Sequence, residues 1–326
     1  MKLSVMLTTV ALLGSSLGCR LNRDEEAELM FPDEETHQHI EDGALLGLES
    51  VLPMPDGDEV GKLGGAVDKL YFAVVGDTRP SMPNSTGGYP ETIITKIYEV
   101  INGMTPRPQF AVGTGDYGFA TSGSKSGPQQ HTMYRNATAK FEGTVFAAMG
   151  NHECKTSTAT NCTDPSINKT YNSYLETMVK PLGQPKPYYT IEVNANDGSW
   201  TSKLVFLACN AWDETQAAWF EREMKKATTH TFVVRHQPTA ADRGPCVPET
   251  GAVLSRSDYT LLITGHEHTF SRPGLREIVV GTGGAPLDGD IPYGYATIEQ
   301  VAEGFRVSAY DYTTGLPFES FVVPFN

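Results

Sequence analysis

Several familiar signatures are missing from this chain of 326 residues, and each absence removes a class of function. Its five cysteines form no Cys-x-x-Cys pair, which argues against a zinc ribbon. No Gly-x-Ser-x-Gly occurs, so the nucleophile elbow of serine hydrolases is absent. The glycine run Gly281–Gly284 has no lysine and no helical pattern after it, so it fails as a nucleotide loop and reads as a tight turn. Basic residues are few, 25 Lys and Arg against 39 Asp and Glu. With neither a basic stripe nor an Arg/aromatic platform, nucleic acid is not an expected partner. The apolar stretch Val5–Leu13 is too short to span a bilayer.

That stretch follows Lys2 and precedes Gly14-Ser15-Ser16-Leu17-Gly18, so residues 1–18 read as a secretory signal and the chain as exported. Cys19 stands directly after Gly18, as in the cleavage site of bacterial lipoproteins, although Ser16 occupies a place usually taken by leucine. Lipidation of Cys19 would tether the protein to a membrane of the cell envelope, on the periplasmic or outer surface; an ordinary cleaved signal would leave it secreted. Residues 20–69 carry 14 acids and 4 bases, against 25 and 20 in residues 70–326. Mutual repulsion and a shortage of large apolar residues make residues 19–69 an expected disordered spacer. Of the remaining cysteines, Cys154 and Cys162 bracket a polar loop and form the expected disulfide. Cys209 ends an apolar run and reads as a buried thiol.

Residues 70–326 read as one domain. Apolar runs at Tyr71–Val75, Phe110–Val112, Val145–Met149, Phe232–Val234 and Leu261–Ile263 predict buried strands. Glu91–Ile101 has a helical stripe of Ile93, Ile94, Ile97 and Ile101, and Asp213 caps a second helix ending near Ala227. Beyond Leu275 the chain is richer in strands. Alternating βαβ units followed by a strand-rich end predict an α/β fold of two packed mixed sheets flanked by helices.

Each of the five runs ends in a polar segment: Gly76-Asp77, Gly115-Asp116, Gly150-Asn151-His152-Glu153, Arg235-His236 and Gly265-His266-Glu267-His268. Buried strands that deliver such side chains at their carboxyl ends are how α/β sheets build a site. The donors are oxygen and nitrogen, which suit hard or borderline divalent ions. Two aspartates repel unless a cation lies between them, and two ions about 4 Å apart hold the attacking and leaving oxygens of a displacement at phosphorus. Each segment alone reads equally well as a capping aspartate or a satisfied core histidine. His266-Glu267-His268 is not the zinc-protease pair, because Phe270 stands where the second histidine belongs.

The ordered set, with Asn151-His152-Glu153, Gly265-His266-Glu267-His268 and the downstream Val280–Pro286 segment, resembles the calcineurin-like metallophosphoesterases, which include the purple acid phosphatases. The resemblance covers Leu70–Phe325. It implies a four-layer sandwich and a phosphoric ester hydrolase, most simply a phosphomonoesterase, in which a metal-bound hydroxide attacks directly. Phosphodiester and nucleotide hydrolysis are the near alternatives. It further implies two divalent ions (Mn, Fe or Zn). Asp77 and His268 would hold the first, Asp116 would bridge, and Asn151, His236 and His266 would hold the second. His152 would assist the leaving oxygen, with Glu153 orienting it. Two positions depart from the pattern. Arg79 stands where the family usually has histidine, and Phe119 where purple acid phosphatases have a tyrosine ligand. Guanidinium offers no lone pair, so a weakened first site is expected. Arg79 reads either as a fork donor to a phosphate oxygen or as an ion-pair partner of Asp77. The same departures admit a second reading, a surface lipoprotein that binds without efficient turnover.

Overall fold

A computed structural model describes residues 59–154, 162, 168–241 and 244–325. The signal, Cys19 and most of the expected spacer lie outside the described residues. Among the described residues no helix is long and apolar enough to cross a membrane.

In chain order the strands are β1 (Glu59–Gly61), β2 (Gly64–Val67), β3 (Tyr71–Val75), β4 (Phe110–Gly113), β5 (Thr144–Ala147), β6 (Tyr189–Ala195), β7 (Thr201–Phe206), β8 (His230–Val234), β9 (Leu261–Thr264), β10 (Phe270–Gly274), β11 (Glu277–Val280), β12 (Gly294–Val301), β13 (Gly304–Asp311) and β14 (Pro317–Pro324). The helices are α1 (Glu91–Asn102), α2 (Ser126–Thr138), α3 (Lys169–Tyr174), α4 (Glu214–Lys225) and α5 (Val247–Leu254). One sheet runs β14-β13-β12-β3-β4-β5 and the other β1-β2-β6-β7-β8-β9-β11-β10. Both are mixed. β3, β4 and β5 are parallel to one another, as are β7, β8, β9 and β11, while β12 and β13 pair antiparallel.

The two-residue period of a strand explains the layering. In β3, Phe72 and Val74 face the other sheet, while Ala73 and Val75 join the cluster formed with α1 and α2. In β7, Leu204 and Phe206 face inward between the sheets and Val205 packs with Phe220 of α4 and Val253 of α5. Phe72 stacks on Phe110 at 4.9 Å and meets Phe232 of the opposite sheet edge-on at 5.5 Å. Burial of each such ring stabilises the fold by roughly 1.5–3 kcal/mol. The result is two packed mixed sheets with helices outside, the α/β sandwich expected.

Two readings need correction. The folded body begins before Leu70, because β1 and β2 extend the larger sheet and bury Val60, Ala66 and Val67. These strands are three and four residues long, glycine-rich and flanked by acids, so their pattern looks like spacer. Backbone pairing with β6 holds them, and Gly64 (φ 117°) lies so close to Glu192 that a Cβ would collide with its carbonyl. Cys209 is not a free thiol. It is bonded to Cys246 at the start of α5, in addition to the expected Cys154–Cys162 bond.

Candidate metal centre

The five polar segments leave the carboxyl ends of β3, β4, β5, β8 and β9 and meet above the sheets. Three of their residues adopt the left-handed backbone region that β-carbons disfavour: Asp77 (φ 55°), Asp116 (φ 58°) and His266 (φ 72°). Each costs of order 1–2 kcal/mol. Loop-to-loop bonds stabilise them: Asp77 N donates to Gly115 O (3.2 Å), Thr78 N to Asp116 O (3.1 Å) and Gly265 N to His236 O (2.9 Å). The Gly281–Gly284 turn closes over the first loop, with Gly283 N donating to Gly76 O and Ala285 N to Asp77 O, both at 2.7 Å. Glycine is required at 265, where a Cβ would stand 2.5 Å from Asp77 Oδ2.

Three donors pack tightly. Asn151 Oδ1 lies 3.0 Å from His236 Nε2 and 2.9 Å from His266 Nδ1, which are themselves 3.2 Å apart. Asp116 Oδ1 lies at the edge of this set, 3.3 Å from His236 Nε2. Bonds of about 2.1 Å to a divalent ion place neighbouring ligands about 3 Å apart when they lie at right angles. The spacing among Asn151, His236 and His266 matches that demand, and these three donors fit one ion. The His236 ring is turned toward it by Nδ1, which donates to Thr114 O at 2.9 Å.

A second group is looser. Ligand atoms of Asp77, Asp116 and His268 all lie within 4.8 Å of one another, with His268 Nε2 3.7 Å from Asp77 Oδ1. Asp77 Oδ1 is buried without a hydrogen-bond partner. His268 Nδ1 donates to Pro286 O at 2.7 Å, which leaves Nε2 as the ring's acceptor. Arg79 reaches into this group. Its Nη2 is 3.3 Å from His268 Nε2 and its Nε 3.5 Å from Asp116 Oδ2, so its ion pair is with Asp116 rather than with Asp77. Phe119 backs the guanidinium, 4.7 Å from ring centroid to Cζ.

His152 lies beside both groups, its Nε2 3.7 Å from Asp116 Oδ2 and its ring 4.3 Å from that of Phe119. The expected link from Glu153 to His152 is not made. Glu153 instead accepts four backbone N–H groups, from Asp116 (2.9 Å), Tyr117 (2.8 Å), Gly118 (3.2 Å) and Gly150 (2.7 Å). It is a clamp on the loops that carry Asp116 and Asn151. A glutamate next to a histidine in sequence does not reveal which way it points. The carbonyls of Thr114 and Pro286 also escaped sequence reading, since a backbone oxygen leaves no trace in residue type.

Burial and mutual charge set the protonation of the cluster. Burial lowers His152 to about 4, and burial with His236 alongside lowers His266 to about 4. Burial and then Arg79 also lower His268. Burial opposes charge on His236, but Asp116 outweighs it and lifts that ring to about 9. Asp116 resists the upward push of burial and is held well below the usual carboxylate range by His236 and His152. Burial pushes Asp77 up to about 8, with His236 opposing and Asp116 reinforcing. Three of the four imidazoles are therefore neutral near pH 7 and keep a lone pair, while His236 holds a proton that an ion would displace.

The chain matches the family described as calcineurin-like phosphoesterase over residues 70–270. No match is found among curated protein sequences. Several solved structures share the fold. GAP50, the anchor in the inner membrane complex of Plasmodium, is 15% identical with a TM-score of 0.54, over 79% of this chain and 89% of that one. Purple acid phosphatase PPD1 from yellow lupin seeds is 12% identical with a TM-score of 0.58, over 83% of this chain and 55% of that one. A dimetal phosphatase from Danio rerio is 11% identical with a TM-score of 0.52, over 79% of this chain and 99% of that one. At such identities the likeness concerns the fold alone.

Proposed function

We propose a function from one established premise: this chain belongs to the calcineurin-like phosphoesterase family, whose members are dinuclear metal-dependent phosphoric ester hydrolases. Within that family our reading is an exported phosphomonoesterase that transfers a phosphoryl group to water with no covalent protein intermediate. One observation carries it: Asn151, His236 and His266 offer three donors at single-ion spacing, with Asp116 3.3 Å from His236 and His152 beside Asp116. Manganese, iron and zinc all suit this oxygen and nitrogen set. A divalent ion held there supplies Lewis acidity, which makes water a competent nucleophile near neutral pH.

The protein's own groups do the rest. Thr114 O and Pro286 O fix the tautomers of His236 and His268. His152 serves the ester oxygen as it departs, and Arg79 donates to a non-bridging phosphoryl oxygen. Overall, the oxygen of water bonds to phosphorus, the ester P–O bond breaks, and the departing oxygen takes up a proton. Phosphate monoesters of small molecules are the substrates on this reading, with diesters and nucleotides as near neighbours. The Lys2, Val5–Leu13 and Gly18-Cys19 pattern supports export, with lipidation at Cys19 as the membrane link in the cell envelope and secretion as the outcome without it.

Arg79 and Phe119 favour a second reading, a surface protein that binds phosphate esters with little turnover. Assays on aryl phosphate mono- and diesters with manganese, zinc or iron, and then with chelator, separate the two. Turnover that chelator and Asp116→Asn both abolish supports the enzyme. No turnover with any of the metals supports the binding protein.

A further inference from the structure

We infer that Arg79 takes the place of one of the two ions for which this family is built, so that the chain holds a single ion and sets a fixed guanidinium beside it. The inference rests on the metal-centre reading above and concerns only how the looser group is filled.

Two of the three residues that would hold an ion there, His268 and Asp116, already face Arg79, while Asp77 Oδ1 has no hydrogen-bond partner. His268 has two ring nitrogens. Nδ1 donates to Pro286 O at 2.7 Å, so Nε2 carries the single lone pair, and Arg79 Nη2 lies 3.3 Å from it. One lone pair cannot serve a guanidinium N–H and a cation at once. Asp116 Oδ2 is approached by Arg79 Nε at 3.5 Å on the same side. A guanidinium stays protonated, so an ion bonded to these atoms would meet a permanent positive charge within its own ligand shell.

Arg79 is also held in place. Its Nη1 donates to Pro80 O at 3.1 Å, the Phe119 ring lies beneath Cζ at 4.7 Å, and the side chain is only 15% exposed. Swinging it out would break the cation–π contact and expose the ring. The guanidinium takes over part of an ion's work. It places a fixed positive charge beside the two buried aspartates, its Nε 3.5 Å from Asp116 Oδ2. No cationic arginine or lysine approaches Asn151 Oδ1 or the facing nitrogens of His236 and His266 among the bonds of the described residues, so the tighter group remains open to its ion.

The test counts ions. Purified full chain is dialysed against Mn2+, freed of excess, and examined by elemental analysis and electron paramagnetic resonance. Wild type is expected to retain one ion with the spectrum of isolated Mn(II). Arg79→His, checked for folding by circular dichroism, is expected to retain two ions with an exchange-coupled spectrum. His268→Ala provides an independent check should Arg79→His fail to fold: it is expected to keep one ion, because His268 is not used. Two coupled ions in wild type, a folded Arg79→His that stays at one, or a loss of metal in His268→Ala would each overturn the inference. Wild type without any ion would instead sink the metal-centre reading itself, and this inference with it.

Discussion

The two donor groups on either side of Asp116 both combine oxygen and nitrogen donors and differ in what sits among them. Around Asn151, His236 and His266 the donors stand 2.9 to 3.2 Å apart, and among the described residues no arginine or lysine is bonded to them. Around Asp77 and His268 the nearest approach of the two is 3.7 Å, and the Arg79 guanidinium lies against His268 and Asp116. Both groups are set up by strand ends of the same fold. The difference comes from one side chain in the first loop, which shows that a fold can keep the frame of a site while the charge within it is supplied by other means.

Breaking the tight group should have the largest effect. His266→Ala removes one of the three closest donors, so bound manganese should vanish and kcat on an aryl phosphate should fall on the order of 1000-fold, as expected when several kcal/mol of transition-state stabilisation are lost. A variant that kept its ion and turned over within tenfold of wild type would show that the ion sits elsewhere.

Next comes the support that both groups share. Glu153 is fully buried and holds four N–H groups of the Asp116 and Gly150 loops. Glu153→Ala should lower stability by about 3 kcal/mol in urea unfolding, because buried donors are left unpaired. A loss below about 0.5 kcal/mol would mean that the loops hold without the clamp.

On the looser side the effects should be smaller. Arg79→Lys keeps the charge but loses the fork, so KM for a phosphate monoester should rise about tenfold with a lesser change in kcat. An unchanged KM would remove Arg79 from substrate contact. Phe119→Leu takes away the ring beneath the guanidinium, worth about 1 kcal/mol, and calorimetry should show Tm lower by about 2–4 °C. Its ion count should match wild type; a gain of metal would mean that Phe119, rather than Arg79, keeps the second ion out.

The tight group and Asp116 could be picked out in sequence because each residue stands two to four positions after the end of a buried strand, and strand periodicity places a strand's end without any knowledge of the partner strand. The layering followed for the same reason. What escaped reading depends on direction or on long-range pairing. Glu153 points away from His152 toward the Asp116 loop. Cys209 meets Cys246 across a separation of 37 residues. β1 and β2 are recruited by the edge of β6 rather than by an apolar pattern of their own. Arg79 was visibly unable to bind a metal. That it would lie against His268 and Asp116 instead of pairing with Asp77 follows from the course of its loop, which residue type does not encode.

The most direct measurement is a crystal structure of the full chain grown with Mn2+, with the ion located by its anomalous scattering. The account predicts one peak per chain, bonded to Asn151, His236, His266 and Asp116, with Arg79 still against His268. A second peak of similar height bonded to Asp77 and His268, with Arg79 displaced into solvent, would contradict it.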